Sequence, residues 1–96
     1  MRFRWDPRKA TANERKHGVS FREATTVLRD PLSTTFPDVA NSAYEERYLT
    51  IGQSAAFRLL VVVHTESDQE IRIISARRAT KAEQSYYEEG EQASGR

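Results

Sequence analysis

The 96-residue chain has no cysteine, which excludes disulfide scaffolds, zinc ribbons and thiol nucleophiles and suits a reducing cytoplasm. Histidine is scarce as well. His17 and His64 are the only two, with no HExxH or closely spaced ligand set around them, so no metal site is expected. The four glycines form neither a GxGxxG nor a GxxxxGK phosphate loop, and no Gly-x-Ser-x-Gly elbow marks a serine hydrolase. No cofactor is expected. The longest apolar run, Leu59 to Val63, falls far short of the ~20 residues that cross a bilayer. The start also lacks the apolar stretch of a secretory signal, so the expected location is the cytoplasm, with no membrane partner.

Apolar residues make up 38% of the chain and charged residues 30%, enough for one small core under a solvated exterior. Residues 1–90 read as a single domain and 91–96 as a flexible polar tail. The net charge of +1 conceals a polarised layout. Residues 1–31 hold eight Lys/Arg against four Asp/Glu, whereas residues 32–70 hold two against six. A basic N-terminal third suits nucleic acid or an acidic partner, although such charges also serve simply to solvate helices.

Local signals divide the chain. A strand is expected over Arg2 to Trp5, then a helix opened by Asp6-Pro7 and closed by Gly18 after His17. Ser20 and Glu23 form a capping box for a second helix, with Phe21, Ala24, Val27 and Leu28 on one face and Asp30-Pro31 as its end. Residues 32–43 read as loop. Strands are expected over Tyr48 to Ile51, Arg58 to Thr65 and Ile71 to Arg77. Thr80 and Glu83 form a second capping box, opening a helix that ends near Gly90. The order β-α-α-β-β-β-α predicts an α+β fold, an antiparallel meander with its helices on one face. Strict alternation puts Ile71, Ile73, Ser75 and Arg77 on one side of the last strand and lets His64 emerge with Glu66 at a strand end.

What remains is chemistry by arginine, lysine, histidine and carboxylate, which fits phosphate esters. Arg77, Arg78 and Lys81 cluster where the last strand meets the last helix, a spacing shared by an anion pocket and by ordinary surface cations. Glu83 is a candidate base, although its cap role alone accounts for it. His64 suits proton transfer at neutral pH and suits a rim position equally well. Tyr87 is an aromatic available for stacking on a base.

Trp5-Asp6, Lys9-Ala10, Asn13 and Lys16-His17-Gly18-Val19-Ser20-Phe21 resemble the opening motif of the BrnT family. Asp30-Pro31, Glu45-Glu46-Arg47, Ile51-Gly52, Leu59 to Glu66, Ile73 to Arg77, Ala79-Thr80, Glu83 and Tyr87-Glu88 continue the match in order. The resemblance implies a small RelE-like ribonuclease, the toxin of a type II toxin–antitoxin system, that cleaves RNA and arrests translation. It also implies a BrnA-like ribbon-helix-helix antitoxin, through which alone operator DNA is contacted. On this reading Arg77 stabilises the transition state, Arg47 or Arg58 holds the RNA backbone, and Glu83 or His64 handles protons without metal. Lys16, His17, Arg78, Lys81 and Tyr87 complete the substrate contacts. The alternative is a non-catalytic module, or a degenerate toxin, that docks an antitoxin and co-represses the operon.

Overall fold

Three helices begin where side chains satisfy their free N–H groups. A computed structural model of the chain describes residues 1–94, and side chains as far as residue 89. Asp6 Oδ1 accepts from Arg8 N at 2.8 Å and opens α1 (Pro7–His17), which Gly18 closes at φ 68°, a left-handed conformation glycine adopts without strain. Ser20 Oγ accepts from Glu23 N at 3.0 Å and opens α2 (Phe21–Val27). Glu23 does not reach back, so this box is half made; its carboxylate binds Ser54 and Arg58 instead. The box at α3 (Lys81–Ser94) is complete: Glu83 N donates to Thr80 Oγ1 at 3.2 Å, and Thr80 N donates to Glu83 Oε1 at 2.8 Å. α3 runs past Gly90, where the sequence signals place its end. The expected tail over 91–96 lies outside the residues whose side chains are described.

The strands are β1 (Arg2–Arg4), β2 (Thr34–Pro37), β3 (Tyr48–Gln53), β4 (Leu59–Glu66) and β5 (Glu70–Arg78), in one sheet of order β1-β5-β4-β3-β2. β3 to β5 form the expected antiparallel meander, β2 extends it antiparallel to β3, and β1 joins the other edge parallel to β5. β2 replaces the expected loop. Its Thr-Thr-Phe run has strand propensity, Thr35 Oγ1 hydrogen-bonds Thr50 Oγ1 at 2.8 Å, and Pro37 is tolerated at the end of an edge strand. The fold is α+β as expected, with one more strand.

Helices cover both faces, not one. Val19, Phe21, Ala24 and Val27, from the α1–α2 side, bury Leu60, Val62, Ile71, Ile73 and Ala76. Tyr87 of α3 packs on Ile51 and Val61 of the opposite face, with Leu49, Leu59 and Phe36 around them. Each fully buried large side chain stabilises the fold by about 1.5–3 kcal/mol, so the double-sided coverage explains why β4 is apolar on both sides. At Gly52 a Cβ would lie 2.9 Å from Ser33 Cβ and 3.0 Å from Val27 Cγ1, so only glycine lets this segment pass under α2 without displacing its neighbours.

A bulge corrects the alternation in β5. Val63 pairs with Ser75 but His64 pairs with Ile73, leaving Ile74 unmatched. Ile71, Ile73, Ala76 and Arg78 therefore share the α1–α2 face, while Arg72, Ser75 and Arg77 face the α3 side. The bulge decides which arginines meet.

Candidate functional site

The end of β5 is held by Asn13, a buried residue of α1. Its Oδ1 accepts from Ala76 N at 3.1 Å and its Nδ2 donates to Ala76 O at 2.8 Å and to Val19 O at 3.0 Å. β1 pairs only with residues 70–72, so Asn13 does for Ala76 what a neighbouring strand would do. Arg77 is the next residue and projects from the other face.

Arg77 and Glu83 form a two-pronged pair. Nη1 donates to Oε1 at 2.7 Å and Nη2 donates to Oε2 at 2.8 Å. The Arg77 guanidinium holds the Glu83 carboxyl down to about 2, against its partial burial and helped by Thr80 N–H, and the same bond raises Arg77. The pair stays partly exposed, at 37% for Arg77 and 23% for Glu83. Lys81, in the first turn of α3, is exposed.

Farther along the same face, Arg72 binds Glu45 Oε1, which Arg47 Nη2 also contacts at 3.4 Å. Arg47 Nε is buried without an acceptor. Ser75 and Val63, partly exposed, pair with each other on the sheet between Arg72 and Arg77. Paired with Thr65 and Val61, four residues apart on β4, the two arginines stand roughly 13 Å apart. Arg72 was not singled out from sequence: its partner Glu45 lies 27 positions away, and only the bulge brings Arg72 and Arg77 to one side.

Other expected site residues lie elsewhere. Arg58 is on the opposite side of the sheet, where Nε donates to Glu23 Oε2 at 2.9 Å and Nη2 to Gly18 O at 3.0 Å. Arg78, exposed opposite Leu60, is on that side too, and its charge helps lower Glu23. Lys16 is exposed and His17 half-buried in the last turn of α1, next to Gly18. These four do not join Arg77. The expectation of arginines converging on one linkage is corrected accordingly: Arg47 and Arg77 share a side with Arg72, and the sheet separates them from Arg58.

His64 does not emerge at a rim. It is fully buried because Tyr48 of β3 stacks on it, ring centroids 6.0 Å apart, and its Nε2 meets Thr50 Oγ1 at 2.7 Å. Desolvation lowers its pKa, against Thr65 O and Glu66. Tyr87 is likewise in the core, its hydroxyl donating to Asp30 Oδ2 at 2.7 Å, so its ring is not laid open for stacking. No group of three or more His, Asp or Glu among the described residues is disposed to hold a metal ion, and no described helix is long and apolar enough to cross a membrane.

Fold and site together define a small α+β domain that carries paired arginines and carboxylates on the open half of one sheet face, groups matched to a phosphodiester. Comparison with known proteins makes the class specific. The family described as the ribonuclease toxin BrnT of type II toxin–antitoxin systems matches residues 5–83. The chain belongs to that family. A solved structure similar to it is the ribonuclease toxin BrnT of Brucella abortus, with a TM-score of 0.66 and 25% identity, covering 84% of this chain and 99% of that one. No curated protein matches the chain significantly.

Proposed function

We propose that the chain is a cytoplasmic, RelE-like endoribonuclease toxin in which a guanidinium supplies the charge stabilisation that a metal ion provides in other nucleases. The observation that carries this reading is the Arg77–Glu83 fork on a partly exposed sheet face. RNA lies across the open half of that face, its phosphates between Arg72, with Arg47 behind it, and Arg77. A phosphate oxygen displaces one prong of the Glu83 carboxylate from Arg77. Freed from the cation that depresses it, Glu83 regains basicity and takes the proton of the ribose 2′-hydroxyl. The 2′-oxygen bonds to phosphorus, the bond from phosphorus to the 5′-oxygen breaks, and that oxygen takes a proton from a water, which in turn recovers one from the protonated Glu83. The products are a 2′,3′-cyclic phosphate and a 5′-hydroxyl. Arg77 stabilises the extra negative charge on phosphorus as it develops. His64 has no part in this step, because it is buried on the other side of the sheet.

Cut messages stop translation, and a BrnA-like ribbon-helix-helix antitoxin, itself the DNA-binding partner, neutralises the toxin. Purified protein incubated with RNA and EDTA is expected to yield fragments ending in cyclic phosphate. Intact RNA, together with tight antitoxin binding, would favour the non-catalytic module instead. Induction with and without the neighbouring reading frame tests toxicity and its neutralisation in the cell.

A further inference from the structure

Phe57 stands at φ 62°, the one non-glycine residue of positive φ among those described. It closes the β3–β4 hairpin, where Phe57 N donates to Ser54 O at 2.9 Å and Ser54 N donates to Arg58 O at 2.8 Å. A hairpin turn finished by a single left-handed residue is a place for glycine, and a bulky side chain there is strained. The ring adds nothing to the core in return, since it is 84% exposed. Strain held at an exposed aromatic points to work outside the fold.

The ring borders a cavity of about 330 Å³ lined by Gln53, Phe57, Leu59, Gln84, Tyr87 and Glu88. Gln84 follows Glu83 in α3, and Leu59 O accepts from Ala79 N at 3.0 Å, so the cavity adjoins the corner that carries Arg77 and Glu83. Its polar side chains are two amides, one carboxylate and the Tyr87 phenol, whose hydroxyl is bonded to Asp30, with no cation among them. That wall repels a phosphate, while an aromatic face, amide edges and a carboxylate are the partners a nucleobase needs.

We propose that this cavity is a base-binding subsite, in which an unpaired RNA base bearing an exocyclic amine stacks on Phe57 and donates that amine to Glu88. Gln53 and Gln84 read the remainder of the base edge. The inference rests on the ribonuclease reading of the adjoining corner and names the part of the substrate that sets its preference.

Binding of short 2′-O-methyl oligonucleotides, which lack the attacking hydroxyl, tests it apart from cleavage. Oligo-C and oligo-U differ at the decisive position, an amine against a carbonyl, and fluorescence anisotropy reads both. Wild type is expected to prefer oligo-C, Phe57→Gly to bind it about 5- to 100-fold more weakly, and Phe57→Trp to retain it. Phe57→Gly is also expected to melt no lower than wild type, which separates lost stacking from lost fold. Glu88→Gln is expected to narrow the preference for oligo-C over oligo-U. Equal binding of oligo-C by wild type and Phe57→Gly overturns the subsite, as does a Phe57→Gly defect confined to antitoxin binding. If wild type binds with the expected preference but leaves ordinary RNA uncut, the subsite stands and the nuclease reading fails. If wild type cuts RNA and Phe57→Gly binds unchanged, the reverse holds.

Discussion

Two arginine–glutamate pairs of the same chemistry sit on opposite sides of the sheet, and their surroundings differ in a way that separates holding from acting. Glu23–Arg58 joins residues 35 positions apart, and Arg58 also bonds Gly18 O while Glu23 also accepts from Ser54 Oγ. It ties α2, the α1–α2 corner and the β3–β4 hairpin together, with Glu23 15% and Arg58 28% exposed. Arg77–Glu83 joins residues only six positions apart across one strand-to-helix corner and is more exposed. Breaking the first loosens three elements. Breaking the second frees a guanidinium over an open surface and loosens a single strand-to-helix corner.

The largest effect expected from this contrast is on catalysis. Arg77→Ala is expected to lower kcat for RNA cleavage about 100- to 1000-fold, the usual loss of one charge-stabilising donor, while the protein stays folded at a lower melting temperature, because Glu83 loses the partner that holds its carboxyl down. Wild-type turnover by folded Arg77→Ala would show that the two pairs are alike and that neither is catalytic. Arg58→Ala is expected to do the opposite. It leaves the partly buried Glu23 without its main partner and destabilises the protein by about 1–3 kcal/mol in urea unfolding, while cleavage per folded molecule is kept. A large loss of kcat with unchanged stability in this variant would move the active centre to the other face.

A third way to sharpen the contrast uses pH. His64 lies on the α1–α2 side with its pKa lowered by desolvation, so the folded protein keeps it neutral while the unfolded chain takes up a proton near pH 6.5. Its contribution to stability is therefore fully present above about pH 6.5 and is lost as the pH falls below it, by at most about 1.4 kcal/mol per pH unit. Melting temperatures between pH 8 and 5 are expected to decline for wild type and to flatten for His64→Gln. The Glu83 carboxyl, held at about 2, acts in a lower window: its contribution is present above the ordinary carboxyl range near 4.5 and is lost as the pH falls through about 2. An equal decline in His64→Gln between pH 8 and 5 would mean that another group titrates there.

Features decided within four residues of chain were legible in the sequence. Asp6, Gly18, Ser20 and Thr80 mark helix ends through bonds to their near neighbours, and the structure has all four. Features decided across the sheet were not. Alternation puts His64 on the right face of β4 but says nothing of Tyr48, which covers it from β3. A one-residue bulge at Ile74 reverses the partners of Arg77, and no pattern in β5 alone announces it. Arg58 reads as a free cation until Glu23, a cap residue by sequence, turns out to serve it instead of its own helix. The family motif reached further than periodicity did. It included Asn13, whose two bonds to Ala76 fix that residue beside Arg77, although spacing alone gave that asparagine no task.

The smallest effect expected is at Arg72, and it tests whether the face of Arg77 is one surface or two separate spots. Arg72 is 43% exposed and paired with Glu45, so removing it leaves no buried charge behind. If RNA crosses from Arg72 to Arg77, Arg72 neutralises one phosphate of a single strand. Losing that contact lowers the slope of log affinity against log salt by about 0.7 and weakens binding a few-fold for every sequence alike. Arg72→Ala is expected to show both changes in anisotropy titrations across a salt series, with kcat at saturating RNA unchanged. Glu45→Gln, which releases Arg72 from its carboxylate, is expected to shift binding the other way. An unaltered salt slope in Arg72→Ala would confine RNA to the Arg77 corner and route the strand past the β3–β4 hairpin alone. A kcat loss as deep as that of Arg77→Ala would instead draw Arg72 into the chemistry, across a distance that one scissile phosphate cannot span.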